Sequence, residues 1–166
     1  MLLKKIILYF LVVLIGKMAC AQSDTSLLYI KYPDVPPFTI TKVPDSSKFT
    51  KADLQKKKAV MIMIFSPDCD HCQHEVKEII EKIQLFKDVL ILLVSHLDYH
   101  YIKTFYEEYN VANYPGITMG WDRTYFLGTF YNTKFLPAIF LYNKKGKFIK
   151  AFDGSVPVEK IAAAMN

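Results

Sequence analysis

An unbroken run of seven apolar residues, followed at once by two closely spaced cysteines, constrains this chain more than any other feature. Residues 59–65 contain no polar side chain, and lysines 56–58 and Ser66-Pro67 bound the run. A segment of this kind is typical of a strand that is covered on both faces. Cys69 and Cys72 come next, and apolar residues then recur at helical spacing at Val76, Ile79, Ile80, Ile83 and Phe86. The sequence therefore predicts a buried strand that leads through the cysteine pair into an amphipathic helix.

The same strand-then-helix pattern occurs a second time. Residues 89–94 form another fully apolar run, and Asp98 is suited to cap a helix whose shared face carries Ile102, Phe105, Tyr106 and Tyr109. Two β-α units in succession predict parallel strands joined by right-handed crossovers.

The C-terminal part of the chain completes an α/β pattern. We expect a short strand at residues 117–119, a helix or turn over residues 124–131, and a hairpin of residues 138–142 and 148–152 around the turn at 143–146. A closing helix is expected to start at Ser155 and Pro157. The predicted fold class is α/β, with a central mixed sheet flanked by helices.

Residues 22–58 differ from the C-terminal part of the chain because prolines interrupt short β-prone pieces at residues 27–32 and 38–43. We interpret this segment as an N-terminal β extension that packs, as a hairpin, on a domain formed by residues 59–166.

Residues 1–21 have the features of an export signal. Two lysines precede the apolar residues 6–15, and Ala19-Cys20-Ala21 offers small residues for cleavage before Gln22. The apolar run is about half of the roughly 20 residues that a membrane-spanning helix needs. The sequence therefore predicts a periplasmic or otherwise extracytoplasmic protein.

Cys20 leaves a second possibility open, because a cysteine at the end of a signal can become the lipid-modified first residue of a bacterial lipoprotein. Such signals carry a Leu-like residue three positions earlier, where this chain has Lys17. Membrane contact is expected only if Cys20 is lipidated. Cleavage after Ala21 would leave Cys69 and Cys72 as the cysteines of the mature chain.

The charge balance argues against nucleic-acid binding. Loss of residues 1–21 leaves 18 basic and 16 acidic residues, and the lysines are spread among the acids. Nucleic-acid binding requires a concentrated basic face. The basic triplet at residues 56–58 is interpreted as a solvated loop.

The predicted position of the cysteines favours redox chemistry. Unpaired N–H groups and the helix dipole at a helix start stabilise a negatively charged sulfur. Cys69 is therefore expected to attack, and Cys72, one turn later, to resolve the mixed disulfide. His71 would further stabilise the Cys69 thiolate, whereas Asp70 would oppose it.

The order of strand, Cys-x-x-Cys, helix and strand, followed by Leu136-Pro137-Ala138 and the hairpin, resembles the thioredoxin superfamily. Within it, residues 32–40 and the run Cys69-Asp70-His71-Cys72-Gln73-His74-Glu75 look like the exported TlpA-like and cytochrome c maturation oxidoreductases. The resemblance implies that Pro137 is a cis-proline facing the disulfide and that Glu75 is an acid near the thiols. It also implies protein thiols and disulfides as partners, with an unidentified redox donor or acceptor, and no cofactor beyond the redox-active disulfide.

This sequence departs from the pattern of general cytosolic thioredoxins at two positions near the cysteines. Met63 and Asp68 stand where general cytosolic thioredoxins carry a buried Asp and a Trp, so general-reductant activity does not follow. Whether the protein reduces, oxidises or isomerises disulfides stays open.

Three alternatives compete with redox exchange. A zinc site would need His71 and His74 as ligands, because no second cysteine pair exists. A peroxiredoxin-like thiol peroxidase would share the fold, with Arg123 as the sole arginine to hold the peroxide. A non-catalytic binding module would use the aromatic residues around 99–131 as an interaction surface.

Overall fold

Seven strands form one mixed sheet in the computed structural model, which describes residues 27–165 of the chain. The strands are β1 (Thr39–Lys42), β2 (Lys48–Thr50), β3 (Ala59–Ile64), β4 (Val89–Ser95), β5 (Ile117–Trp121), β6 (Ala138–Tyr142) and β7 (Phe148–Asp153). The α-helices are α1 (Leu28–Lys31), α2 (Asp70–Glu81), α3 (Tyr99–Glu108), α4 (Phe126–Tyr131) and α5 (Val158–Ala163). Short 3₁₀ helices cover Lys51–Asp53, Ile83–Phe86 and Val111–Asn113. The α/β fold class predicted from the sequence is confirmed.

The strand order across the sheet is β2-β1-β5-β4-β3-β6-β7. β3, β4 and β5 run parallel to one another, whereas β1, β6 and β7 pair antiparallel with their neighbours. The three parallel strands therefore end at the same edge of the sheet, here called the carboxyl edge. β6 begins at that edge, because its first residue, Ala138, pairs with Ile64 at the end of β3.

Both faces of the sheet are covered, which explains why the central strands are apolar throughout. Every residue of β3 is buried, and its side chains alternate between two cores. Met61 and Met63 pack under α2, α3 and α5, while Val60 and Ile62 pack under α4 and the N-terminal segment. A strand with a single covered face would carry polar residues at every second position.

The structure confirms most of the elements expected from the sequence. The predicted strands at residues 59–65 and 89–94 correspond to β3 and β4, and the Asp98 carboxylate accepts a hydrogen bond from the His100 N–H as the cap of α3. The hairpin of β6 and β7 turns at Gly146, whose φ of +74° favours glycine.

Two predictions about local structure are wrong, and in both places aromatic rings pack differently from the predicted pattern. Residues 27–32 hold the helix α1 instead of a β-prone piece, because Tyr29 turns inward against the rings of Tyr131, Phe140 and Phe148. The helix after Cys72 ends at Glu81, and a separate 3₁₀ turn carries Phe86 into the core. At both places an aromatic ring packs in or against a core: Phe86 is buried, and Tyr29 is partly buried against the core under α4.

A third correction concerns the last helix. Ser155 does not start it; α5 begins at Val158, after Pro157, without a side-chain cap. The Ser155 hydroxyl instead donates a hydrogen bond to the carboxylate of Glu75 in α2.

The described part of the predicted extension joins the same sheet as the rest of the chain. β1 and β2 pair as an antiparallel hairpin, and β1 pairs in turn with β5. Phe38 and Ile40 are buried in the core under α4. The boundary at residue 58 stays a prediction, and the predicted signal at residues 1–21, including Cys20, lies outside the described residues. Within residues 27–165, no helix has both the length and the apolar character to cross a membrane.

Candidate active site at the start of helix α2

Cys69 lies at the carboxyl edge, between the end of β3 and the first turn of α2. The Phe65 N–H donates to the Val94 carbonyl at 2.9 Å, which holds the chain against β4 for one residue beyond the strand. A turn comes next, closed by the Cys69 N–H on the Ser66 carbonyl at 3.2 Å. Strand, turn and helix together place Cys69 as the N-cap residue of α2.

The sulfur of Cys69 acts as the helix cap. Its Sγ accepts a hydrogen bond from the Cys72 N–H at 3.3 Å, and the side chain is partly exposed to solvent. An N–H group aimed at the sulfur and the positive end of the helix dipole both stabilise a thiolate at this position. The Cys69 sulfur is therefore held at the start of the helix while staying accessible to another molecule.

Cys72 has a different environment, although it lies one turn away. Its side chain is fully buried in the core under α2, and both cysteines are free thiols. Burial raises the pKa of the Cys72 thiol well above its ordinary range, and the hydrogen bond with Cys69 adds to the effect. The two sulfurs are thus unequal: one is accessible and capped, and the other is buried and held as a thiol.

A carboxylate lies beside the pair. Asp68 is exposed and accepts a hydrogen bond from the Ser66 hydroxyl at 2.5 Å. Its charge contributes to the raised pKa of Cys72. The Asp68 carboxylate therefore disfavours a negative charge on the buried Cys72 sulfur.

Glu75 is buried one turn beyond Cys72. Its side chain is 1% exposed, and its Oε2 accepts hydrogen bonds from the Ser155 hydroxyl at 2.6 Å and the Val156 N–H at 3.1 Å. Oε1 is buried without a hydrogen-bond partner among the described residues. Burial, the largest cause, raises the pKa of Glu75, while the bonds from Ser155 and Val156 act in the opposite direction. The carboxyl group is thus held at the base of α2, and its predicted action on the thiols stays a prediction.

Ser155 has a role that its sequence context did not reveal. Besides its bond to Glu75, its hydroxyl lies 3.3 Å from the His71 carbonyl oxygen, so the loop after β7 is attached to the first turn of α2. The only sequence signal is a serine before an apolar helix, and that pattern also fits an N-cap. The His71 side chain is exposed, and its predicted effect on Cys69 stays a prediction.

The structure confirms that the Leu136–Pro137 peptide bond is cis. Pro137 immediately precedes β6, whose pairing with β3 brings the proline alongside the turn that leads to Cys69. Its carbonyl accepts a hydrogen bond from the Gly154 N–H at 2.8 Å, which fixes the loop. Phe135, two residues earlier, is 67% exposed. The chain thus brings Pro137 to the carboxyl edge, and its predicted position facing the disulfide stays a prediction.

Other candidate residues are placed apart from the cysteines. Arg123 follows β5 and lies over the Trp121 ring at 5.6 Å, with β4 between β5 and the strand that leads to Cys69. Within residues 27–165, no group of three or more His, Cys, Asp or Glu side chains is arranged to hold a metal ion.

The comparison with protein families agrees with this geometry. A family model described as a thioredoxin-like domain matches residues 46–166. The chain belongs to this family. The match begins in the turn between β1 and β2 and includes the cysteine pair, Pro137 and the β6-β7 hairpin. No curated protein is significantly similar in sequence.

Solved structures share the thioredoxin-like fold at low sequence identity. A secreted disulfide oxidoreductase from Mycobacterium tuberculosis is 18% identical, with a TM-score of 0.65 over 77% of this chain and 93% of that one. StoA from Bacillus subtilis is 18% identical, with a TM-score of 0.58 over 80% and 98%. An exposed lipoprotein thioredoxin from Streptococcus pneumoniae is 18% identical, with a TM-score of 0.62 over 78% and 100%.

Proposed function

We propose that this protein is a thiol-disulfide oxidoreductase that exchanges electrons with protein thiols and disulfides through Cys69 and Cys72. The observation that carries the proposal is the contrast between the two sulfurs. The Sγ of Cys69 caps α2 and is open to solvent, whereas Cys72 is buried one turn below it. A disulfide-exchange reaction needs this division between an attacking and a resolving thiol.

In the reducing direction, the Cys69 thiolate attacks one sulfur of a substrate disulfide. The substrate S–S bond breaks, one substrate sulfur leaves as a thiolate, and a mixed disulfide with Cys69 forms. Cys72 then loses its proton and attacks the Cys69 sulfur, which releases the second substrate sulfur. Two electrons pass to the substrate, and the Cys69–Cys72 disulfide remains. The oxidising direction reverses each step, and an unidentified redox partner restores the starting state.

Deprotonation of Cys72 is the step that its surroundings oppose. Burial raises its pKa, so the thiol keeps its proton until Cys69 has lost its negative charge by forming the mixed disulfide. We assign the transfer of that proton to Glu75 or His71. The unpartnered Oε1 of Glu75 supports the first of these.

Substrate contact is assigned to the residues around Pro137. The cis-proline lies beside the turn that leads to Cys69, and the exposed ring of Phe135 offers apolar surface next to it. A substrate chain would lie across these two residues as its sulfur reaches Cys69.

We place this activity outside the cytoplasm. The export signal predicted at residues 1–21 supports this location, and disulfide exchange between secreted proteins takes place in such compartments. The protein would contact a membrane only if Cys20 is retained and lipidated.

Trapping of substrates tests the proposal. Cys72→Ser should leave mixed disulfides on Cys69, visible in non-reducing gels of cell extracts and released by dithiothreitol. The double variant C69S/C72S is the control and should trap nothing. Equal recovery of adducts from both variants, or none from C72S, would overturn the proposal.

The reduction potential of the Cys69–Cys72 disulfide distinguishes a catalytic oxidoreductase from a non-catalytic binding module. A static structural disulfide should have a potential below about −300 mV, whereas an exchanging pair should lie above it. Equilibration of the Cys69–Cys72 pair in glutathione or dithiothreitol buffers gives this value. Oxidation of Cys69 by hydrogen peroxide, with no adduct trapped by C72S, would support the peroxidase alternative instead.

A further inference from the structure

A cavity of about 450 Å³ opens beside Cys69, between the turn that precedes α2 and the exposed side of α3. Its less exposed lining residues, here called the floor, are apolar: Pro67, Leu97 and Phe105. The Phe105 ring is fixed in place, since it stacks on Tyr109 with a centroid distance of 4.1 Å and packs against Phe65 at 5.1 Å. The cavity is therefore a formed feature of the fold.

The rim of the cavity is acidic. Asp68 and Glu108 both line it and are both exposed, one in the turn before Cys69 and the other at the end of α3. Neither carboxylate forms an ion pair within residues 27–165, and no lysine, arginine or histidine of that range lines the cavity. The neighbouring Glu107, by contrast, pairs with Lys103 at 3.6 Å. Two carboxylates without a counter-charge thus surround an apolar floor.

This combination matches a long cationic side chain. Lysine and arginine bury an apolar stem along an aromatic or aliphatic surface while the charged head stays at a polar rim. The 59% exposed ring of Tyr101 adds an aromatic face at the rim, to which a cation is attracted. An acidic side chain would meet two like charges, and an aliphatic one would gain no electrostatic attraction from the two carboxylates.

The cavity is also close to the reacting cysteine along the chain. Asp68 lines the cavity and is the residue directly before Cys69, so the cavity adjoins the turn that carries the reacting sulfur. A side chain one or two residues from the reacting cysteine of a bound substrate would be close enough to enter it. We propose that this cavity is a specificity subsite that receives a lysine or arginine side chain adjacent to the reacting cysteine of a polypeptide substrate. The proposal rests on the oxidoreductase function proposed above.

Disulfide peptides that differ at a single position test the subsite. The peptides carry Lys, Glu or 2,4-diaminobutyric acid next to the cysteine, and the C72S variant reports the second-order rate of mixed-disulfide formation at low salt and neutral pH. The Lys peptide should react about two- to fivefold faster than the Glu peptide for each carboxylate engaged. The short diaminobutyric acid stays largely charged near neutral pH but cannot span the floor, so it should lose most of the rate advantage of the Lys peptide.

Two matched variants, C72S/E108Q and C72S/E107Q, test whether Glu108 causes the preference for the Lys peptide. E108Q should lower the Lys-to-Glu rate ratio by about two- to fivefold, and E107Q, one residue away on the same exposed helix end, should leave the ratio unchanged. Equal ratios in the two variants, or equal rates for all peptides with the parent C72S, would overturn the subsite while leaving the oxidoreductase function in place. Failure of every peptide to react with Cys69 would overturn both.

Discussion

The Ser155 hydroxyl donates a hydrogen bond of 2.6 Å to Glu75, a residue 80 positions earlier in the chain. The bond joins the loop after β7 to the helix that carries both cysteines. It also gives a buried carboxylate one of its two hydrogen-bond donors, the other being the Val156 N–H. This contact therefore helps to hold α2 against the C-terminal segment.

Ser155→Ala should lower the free energy of unfolding by about 1–2 kcal/mol, because it leaves a buried carboxyl group with one donor fewer. Urea denaturation followed by circular dichroism measures the change. Ser47→Ala is a matched control, since the Ser47 hydroxyl donates to Asp45 at 2.7 Å on the exposed surface. The control should cost less than about 0.5 kcal/mol, and an equal loss in the two variants would show that burial of Glu75 is not the cause.

The raised pKa of Glu75 predicts a pH-dependent stability. Burial makes the folded state bind this proton more tightly than the unfolded chain does, so the contribution is fully present below the unfolded pKa of about 4.3. The contribution is lost as the pH rises through the folded pKa. The wild-type free energy of unfolding should therefore fall relative to that of Glu75→Gln as the pH rises above about 4.3.

Denaturant unfolding at several pH values gives the two curves for this comparison. Glu81→Gln removes an exposed carboxylate from the end of the same helix and serves as the control. Its curve should stay parallel to that of the wild type. Parallel curves for wild type and E75Q would contradict the assignment of a raised pKa to Glu75.

The two cysteines should differ in their reaction with iodoacetamide. Cys69 is accessible and capped by the Cys72 N–H, whereas the Cys72 side chain is fully buried with a raised pKa. Cys69 should be alkylated at least about tenfold faster at pH 7, because the thiolate is the reactive form. Peptide mass spectrometry of briefly labelled, reduced protein measures both rates, and comparable labelling of the two cysteines would contradict the division of roles.

The central strands and α2 could be predicted because their signals are local. β3 and β4 are buried on both faces, and this condition alone produces an unbroken apolar run. The cysteine pair is placed at the start of α2 by the change of pattern at Cys72. Local signals of this kind are enough to predict the fold class, the helix cap at Asp98 and the position of Cys69.

The parts that could not be predicted depend on contacts between distant residues. α1 is helical because Tyr29 packs on three rings from α4, β6 and β7, and a four-residue helix has no periodicity to detect. Ser155 precedes a helix and fits an N-cap by pattern, while its actual acceptor is Glu75. The acidic cavity combines residues from the turn before α2 and from α3, so the chain order does not reveal it.

A buried pair of tyrosines supplies the last prediction. The hydroxyl groups of Tyr131 and Tyr142 lie 2.8 Å apart in the core under α4, and both side chains are at most 2% exposed. Burial, the largest cause, raises the pKa of both tyrosines, that of Tyr142 to about 12, so both hydroxyls are neutral at physiological pH. Each hydroxyl is thus the hydrogen-bond partner of the other.

Replacement of either tyrosine by phenylalanine should therefore lower the free energy of unfolding more in the wild type than in a variant that already lacks the other hydroxyl. Tyr131→Phe or Tyr142→Phe leaves one buried hydroxyl without its partner, at a cost of about 1–2 kcal/mol each. The double variant removes both polar groups while keeping the rings, including the stacking of Tyr131 on Phe140 at 3.7 Å. Its loss should be smaller than the sum of the single losses by at least about 0.5 kcal/mol. Urea denaturation of the wild type, the two single variants and the double variant completes this double-mutant cycle. Additive losses would mean that each hydroxyl finds another partner in the core.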